Sequence, residues 1–301
     1  MLIDSHMHVF PTADAGRAAV EGYAIVEYGA GAPRATAAAA GTPADAVAAL
    51  EAAGAECGWA LSSFEPPGLP APPDGARFWP AVPVHPEHAA ALADDNRWLC
   101  KVSAENRRLR PFVTVHPGVM SASASAAAVA QLADDHGARG VKLHPIAMRT
   151  HPEDPGLALM FATCAARRMP VVAHCGPDRY GSGWSTPSAF APVLAAHPEL
   201  RLVLAHLGGA AWSTLAEIAA RFPQARFDLS EIIAWAGSAH APDERALAQL
   251  IRTVGAGRVL LGSDFPWYDT AATAAQVRAL PLLSDAERAA ILGENAALLV
   301  D

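Results

Sequence analysis

Short apolar runs recur along the chain, and each runs into a polar or turn-forming residue. The runs are Leu2–His8, Cys57–Ser62, Arg110–Val115, Gly140–His144, Pro170–His174, Arg201–His206, Ala225–Ser230 and Arg258–Ser263. Runs of this length, rich in Val, Ile, Leu and Phe, read as strands buried on both faces. Between them lie longer alanine-rich stretches of helical character: Pro43–Ala53, Ala124–His136, Gly156–Arg168, Ser188–His197, Ala211–Arg221 and Pro242–Val254. Alternating strand and helix signals specify a parallel sheet, and eight repeats predict closure into a (β/α)8 TIM barrel. The prediction is a single α/β domain over residues 1–301.

Two stretches break the rhythm. Pro11–Thr42 is long and dotted with glycine. Residues 63–109 form a long insertion after strand two, opening on the proline-rich Glu65–Pro73 and continuing as a polar helix near Glu87–Arg107. Both follow strands, so both are placed at the C-terminal mouth of the barrel as a lid or rim, with a dimer contact as the structural alternative. Ser284–Val300 opens with a capping pattern and is expected as helices packed outside the barrel.

Composition narrows the function class. The chain has 301 residues, 52% of them hydrophobic, enough for one large core. A formal charge of -8 and the lack of a basic cluster argue against nucleic acid as a partner. The first apolar run is interrupted by Asp4, His6 and His8, unlike a signal or transit peptide, and no apolar run reaches the length of a membrane span. Cys57, Cys100, Cys164 and Cys175 are widely spaced, which predicts free thiols and a cytoplasmic protein. Cys175 follows a candidate ligand and is read mainly as a small buried hydrophobe.

The chemistry lies where the strands end. His6 and His8, two residues apart on a strand, share a face. Lys142 and His144 end strand four, His174 strand five, His206 strand six and Asp264 follows strand eight. In a closed barrel all converge on one mouth. A catalytic metal site needs three or four nitrogen or oxygen ligands and an open position. His6, His8 and His174 offer nitrogens, and Asp264 offers a carboxylate that can also take a proton from a metal-bound water, whose pKa such an ion lowers to about 7. His206 is placed for general acid–base work or oxyanion stabilisation, so Asp264 and His206 are the candidate catalytic residues. Zinc leads for such a donor set, and manganese, iron and cobalt are compatible with it.

The segments Ile3-Asp4-Ser5-His6-Met7-His8, Gly140–Pro145, Val171–Gly176, Leu204–Gly209 and Leu261–Pro266 resemble the amidohydrolase superfamily. More narrowly they resemble its amidohydrolase-related (amidohydrolase 2) branch, which includes aminocarboxymuconate-semialdehyde decarboxylase and related decarboxylases, and Gly293-Glu294-Asn295-Ala296 is similar to that branch's terminal helix motif. The resemblance implies one divalent metal held by His6, His8, His174 and Asp264, with His206 catalytic or beside the metal, and a homodimer. It also poses an alternative. In binuclear members a carboxylated lysine at the end of strand four bridges two metals, and Lys142, His174 and His206 stand in those places. The other reading of Lys142 is an ammonium that binds a substrate carboxylate or pairs with an acid.

The remaining candidates have a structural reading beside a functional one. Lys142, His144 and Trp267 are the candidate substrate-binding residues, His144 being open to plain packing as well. Asp4 is a possible hydrogen-bond partner for a ligand, and Asp228 a substrate contact or a helix cap. Asp178, Arg179, Tyr180 and Trp184 follow His174 and form either a substrate grip or a solvated rim, and Tyr268 neighbours Trp267. His85, His88, His116, His136, His151, His197 and His240 are read as surface or packing residues. The expected activity is metal-dependent hydrolysis of a small-molecule ester, lactone or amide. The alternative is non-oxidative decarboxylation of a small aromatic or unsaturated carboxylic acid on the same site, with Lys142, Arg149 and Arg179 as available cations. A barrel that only binds is disfavoured, because every expected ligand position is filled.

Overall fold

The computed structural model describes residues 1–26, 39–65, 76–178 and 181–300, with 23–26 as backbone only. The proline-rich 66–75, Arg179, Tyr180 and part of the Pro11–Thr42 stretch lie outside the described residues.

Eight strands pair in chain order, all parallel: β1 (Ile3–His8), β2 (Cys57–Leu61), β3 (Leu109–Val113), β4 (Gly140–Leu143), β5 (Val171–Ala173), β6 (Leu202–Leu204), β7 (Arg226–Asp228) and β8 (Val259–Leu260). The last meets the first. Ser5 N donates to Leu261 O at 2.8 Å, Asp264 N to His6 O at 2.8 Å and His8 N to Phe265 O at 2.6 Å, and a parallel bridge joins Met7 to Phe265. The result is the (β/α)8 barrel that the alternation predicted.

The sequence carried several strands too far. The apolar run continues to His174, His206 and Ser263, but pairing stops at Ala173, Leu204 and Leu260. His206, Leu207 and Asp264 have φ of +59°, +47° and +64°. A left-handed backbone cannot continue a ladder, so these side chains sit on the first residues beyond the strands and not within them.

Helices alternate with strands throughout, two of them between β1 and β2: up to β4 they are α1 (Ala13–Val26), α2 (Pro43–Ala53), α3 (Ala89–Glu105) and α4 (Ala122–His136). After it come α5 (Pro155–Ala166), α6 (Ala191–Ala196), α7 (Leu215–Arg221), α8 (Glu244–Val254), α9 (Thr270–Ala279), α10 (Asp285–Ala289) and α11 (Asn295–Val300). Capping explains the crisp starts. Thr42 and Asp45 form a capping box on α2, and Ser121, Asp154, Asp243 and Asp269 cap α4, α5, α8 and α9. Helices α1 and α9 have no counterpart among the predicted elements. The alanine- and threonine-rich α9 shows little apolar periodicity, so tertiary packing makes the difference there. In the 63–109 segment, α3 packs on β3 and α4 as the ordinary connecting helix of its βα unit, so the lengthened part is the loop before it.

The C-terminus corrects a second expectation. The Ser284–Glu287 capping box is present on α10, but α11 does not pack outside the barrel. Its Ala296 and Leu299 join Ile3, Trp59, Leu61, Phe112, Val172, Val203 and Leu260 in a cluster inside the strands. Asn295 anchors it by donating to Ala256 O and Val259 O, both at 2.8 Å. The barrel is thus plugged at the end opposite the strand C-termini. Trp59 and Phe112 stack in this cluster with centroids 4.7 Å apart and neither is exposed. Phe112→Ala is expected to lower stability by about 3–5 kcal/mol, read in a denaturant titration, because the surrounding strands cannot collapse into the void.

Buried His116, on the loop after β3, supplies a pH dependence. Burial lowers its pKa to about 4 from an ordinary value near 6.5. The unfolded chain takes up this proton near pH 6.5 and the folded one only near pH 4. Stability is therefore fully present above pH 6.5 and drains away between the two values. A thermal midpoint that falls over this window, and falls less in His116→Gln, is the expected result.

Candidate active site

Each chemistry-bearing side chain is set by the element that carries it. A register shift between Asp4 and Met7 in β1 turns Asp4 away from the two histidines. Its carboxylate accepts from Ser263 N at 2.9 Å, Thr270 Oγ1 at 2.8 Å and Ser263 Oγ at 2.5 Å. Asp4 therefore pins the corner after β8 and is not a partner for a ligand's ring.

His6, His8 and Asp264 come together. Asp264 Oδ1 lies 3.3 Å from His6 Nε2 and 3.5 Å from His8 Nε2, and the three form one buried group able to hold an ion. The opposite ring nitrogens explain why both Nε2 atoms face the carboxylate. His6 Nδ1 is 3.0 Å from Asp228 Oδ2 and His8 Nδ1 is 3.2 Å from Leu61 O. Both partners can only accept, so each Nδ1 carries the hydrogen and each Nε2 the lone pair. Lys142 Nζ, from β4, donates to His6 Nε2 at 3.0 Å.

His174 stands apart from that group. Its Nδ1 is 3.0 Å from His206 Nε2, and its ring stacks on His144 with centroids 4.2 Å apart. His206 Nδ1 lies 3.1 Å from Ser230 O and 3.7 Å from Glu231 Oε2. His206 joins two further groups able to hold an ion, one with His6 and Asp228 and one with Glu231 and Asp264.

Burial sets the charges. It lowers the His6 pKa to about 3, helped by the Lys142 ammonium, and lowers His8 as well. Burial also holds His144 and His174 well below the usual imidazole value, reinforced at His144 by Lys142 and at His174 by the neighbouring His144. Desolvation alone would raise Asp264 and Asp228, but the neighbouring His6, and at Asp228 the hydrogen bonds it accepts, outweigh it and hold both below the ordinary carboxylate range. Neutral imidazoles beside ionised carboxylates are the protonation states that a divalent cation requires of its ligands.

A cavity of about 410 Å³ opens onto this centre. His8, Lys142, His144 and Trp267 line it with Phe10, Phe64 and Met148, and α1 closes one side through Ala18 and Ala19. His144 Nδ1 accepts from Ala147 N at 3.2 Å, which leaves its hydrogen on Nε2. Of the aromatic pair, Trp267 packs edge-on against His8 at 5.4 Å. Tyr268 instead accepts from Trp235 Nε1 at 2.6 Å and lines a separate, smaller cavity. Asp178 accepts from Ser182 N at 3.3 Å, and neither it nor Trp184 lines the main cavity.

Sequence reading missed Ser230, Glu231 and Glu65. Glu65 sits at the cavity rim, where burial raises its pKa against the opposing charge of Arg149. Asp228 is neither the substrate contact nor the helix cap considered for it. It is fully buried behind His6, and its place as the last residue of β7 was the one available signal. Cys175 is buried and burial pushes its thiol pKa up, as befits a packing residue.

The amidohydrolase family model (Amidohydro_2) matches residues 3–301. The chain belongs to the amidohydrolase family. Among solved structures, this amidohydrolase is similar to 5-carboxyvanillate decarboxylase LigW from Sphingomonas paucimobilis, at 17% identity and TM-score 0.68, over 99% of this chain and 98% of that one. It is similar to 2,6-dihydroxybenzoate decarboxylase from Rhizobium, at 14% identity and TM-score 0.66, over 99% and 97% of the two chains. A dihydroxybenzoic acid decarboxylase from Polaromonas, with bound manganese and the inhibitor 2-nitroresorcinol, aligns at 15% identity and TM-score 0.70, over 99% and 96%. Likeness at these identities establishes the shared fold. No curated protein matches the sequence. Among the described residues, no helix of this amidohydrolase is long and apolar enough to cross a membrane.

Proposed function

We propose that this amidohydrolase is a metal-dependent, non-oxidative decarboxylase of a small aromatic or unsaturated carboxylic acid. The observation that carries the reading is the cavity itself: apolar walls from Phe10, Phe64, Met148 and Trp267, with Lys142 on the floor 3.0 Å from His6. Such walls suit a flat, apolar body, and the ammonium suits its carboxylate. The decarboxylases among the structural relatives support the same choice over hydrolysis.

The donor set fits a divalent cation, because His6 and His8 present neutral Nε2 atoms to an ionised Asp264. We assign the ion to these three, with His174 completing the set, and zinc and manganese as the metals to test. The bound ion would supply Lewis-acid stabilisation of negative charge on the substrate. Lys142 is read as an ammonium. Its Nζ donates to the His6 Nε2 lone pair only while no ion takes that lone pair; with the ion bound, the ammonium would turn to the substrate carboxylate, the reading that favours one metal over a pair bridged by carboxylated lysine.

The chain's own residues have three tasks. Trp267, Phe10 and Met148 hold the plane of the substrate and exclude water. Lys142 and the Nε2–H of His144 hold its carboxylate. The carbon–carboxyl bond breaks and a proton must take its place on the substrate carbon; we assign the transfer to Asp264, which is ionised at rest and would take the proton up from solvent before passing it on, since His206 is tied to His174 and Ser230.

A panel of aromatic acids carrying ¹³C in the carboxyl group, run beside esters, lactones and amides, separates decarboxylation from hydrolysis. Labelled carbon dioxide from an aromatic acid, without turnover of the esters, is expected. Ester or lactone hydrolysis with no release of label would reverse the assignment.

A further inference from the structure

We propose that Asp228 is a positioning residue: it fixes the tautomer of His6 and, through the same carboxylate, the backbone that presents His206. Both oxygens of Asp228 are engaged, and every partner is a donor. Oδ2 accepts from His6 Nδ1 at 3.0 Å, and Oδ1 accepts from His206 N at 2.9 Å and Ser230 N at 3.0 Å. Ser230 Oγ also donates to Oδ1, which turns its lone pairs toward His6 Nδ1 at 3.1 Å and His206 Nδ1 at 2.9 Å. Asp228, Ser230 and His6 are fully buried, so no water competes for these bonds.

Two consequences follow from this connectivity. A carboxylate opposite Nδ1 forces the hydrogen onto that atom, leaving the Nε2 lone pair toward Asp264 and the cavity floor. The bond to His206 N holds a residue whose φ is +59°, a conformation that a β-carbon disfavours and that persists only where surrounding contacts fix it. One side chain at the end of β7 therefore ties β1 to the loop after β6 across the barrel.

Asparagine cannot take over. An amide offers one acceptor and one donor end, whereas both ends of Asp228 face donors. With its oxygen toward His6, the NH₂ of an asparagine would meet His206 N–H and Ser230 N–H. Turned the other way, it would donate to His6 Nδ1 and drive the ring hydrogen to Nε2.

The inference rests on the metal-centre reading above only for its affinity readout, and the experiment has two arms. The first is ¹⁵N NMR of histidine in metal-free protein, which reads the tautomer directly. His6 is expected as Nδ1–H in the wild type and as Nε2–H, or a mixture, in Asp228→Asn. The second is competition for Zn²⁺ with a chromophoric chelator, where Asp228→Asn is expected to weaken binding about 10–100-fold. Ser230→Ala, which leaves Asp228 on His6, is expected to change affinity less than about threefold. A wild-type His6 protonated at Nε2 overturns the proposal without any variant. So does an Asp228→Asn protein that is folded and binds Zn²⁺ as the wild type does, since a purely structural residue would lower the melting midpoint alone. Wild-type protein that binds no Zn²⁺ sinks the metal reading, while the tautomer arm still decides the role of Asp228.

Discussion

Asp264→Asn is expected to weaken divalent-metal binding roughly a thousandfold, about 4 kcal/mol, and to abolish turnover while the protein stays folded. The carboxylate is the one anionic member of the group formed with His6 and His8, and its Oδ1 lies within 3.5 Å of both Nε2 atoms. An amide of the same shape removes the charge and half the acceptor capacity. Asparagine is the informative choice because Asp264 has φ of +64°, a conformation asparagine tolerates and alanine does not. Metal analysis after dialysis against a weak chelator reads the result, with circular dichroism confirming the fold. A variant that retains the metal as tightly as the wild type would remove Asp264 from the ligand set.

Lys142→Met is expected to cut kcat/KM for an aromatic acid by about a hundred- to a thousandfold with metal content unchanged. The ammonium is buried at the cavity floor, where a substrate carboxylate would lose its hydration. Removing one partner of such a desolvated pair costs about 3–5 kcal/mol, chiefly because the other charge is left without compensation. Methionine keeps much of the volume and cannot be carboxylated. The metal readout is therefore decisive for Lys142: one metal per chain before and after the change supports the ammonium, and a fall from two to one would establish a bridging carbamate.

Much of this site was legible because barrel topology turns sequence order into spatial convergence. Once eight parallel strands are recognised, any residue just past a strand end is delivered to one mouth. That brings His6, His8, Lys142, His144, His174, His206 and Asp264 to one region from their order in the chain. It could not sort them. Three overlapping groups among the described residues are able to hold an ion, one of them His6, His8 and Asp264, and His174 lies beside His206 and stacks on His144. Strand periodicity also misplaced Asp4. Two residues before His6 on a regular strand it shares a face, but the register shift in β1 sends it to Ser263 and Thr270.

Hydrophobic alternation and the positions of a few histidines and acids determined the barrel, its mouth and the presence of a metal-type donor set. Those properties depend on local propensity and on strand order, both of which the chain encodes residue by residue. Tertiary structure alone decided which ring nitrogen faces inward, because that depends on the acceptor opposite each Nδ1: Asp228 for His6, Leu61 O for His8 and Ser230 O for His206. Those partners lie 222, 53 and 24 residues away in the chain. No local pattern reports a contact that exists only once the sheet has closed.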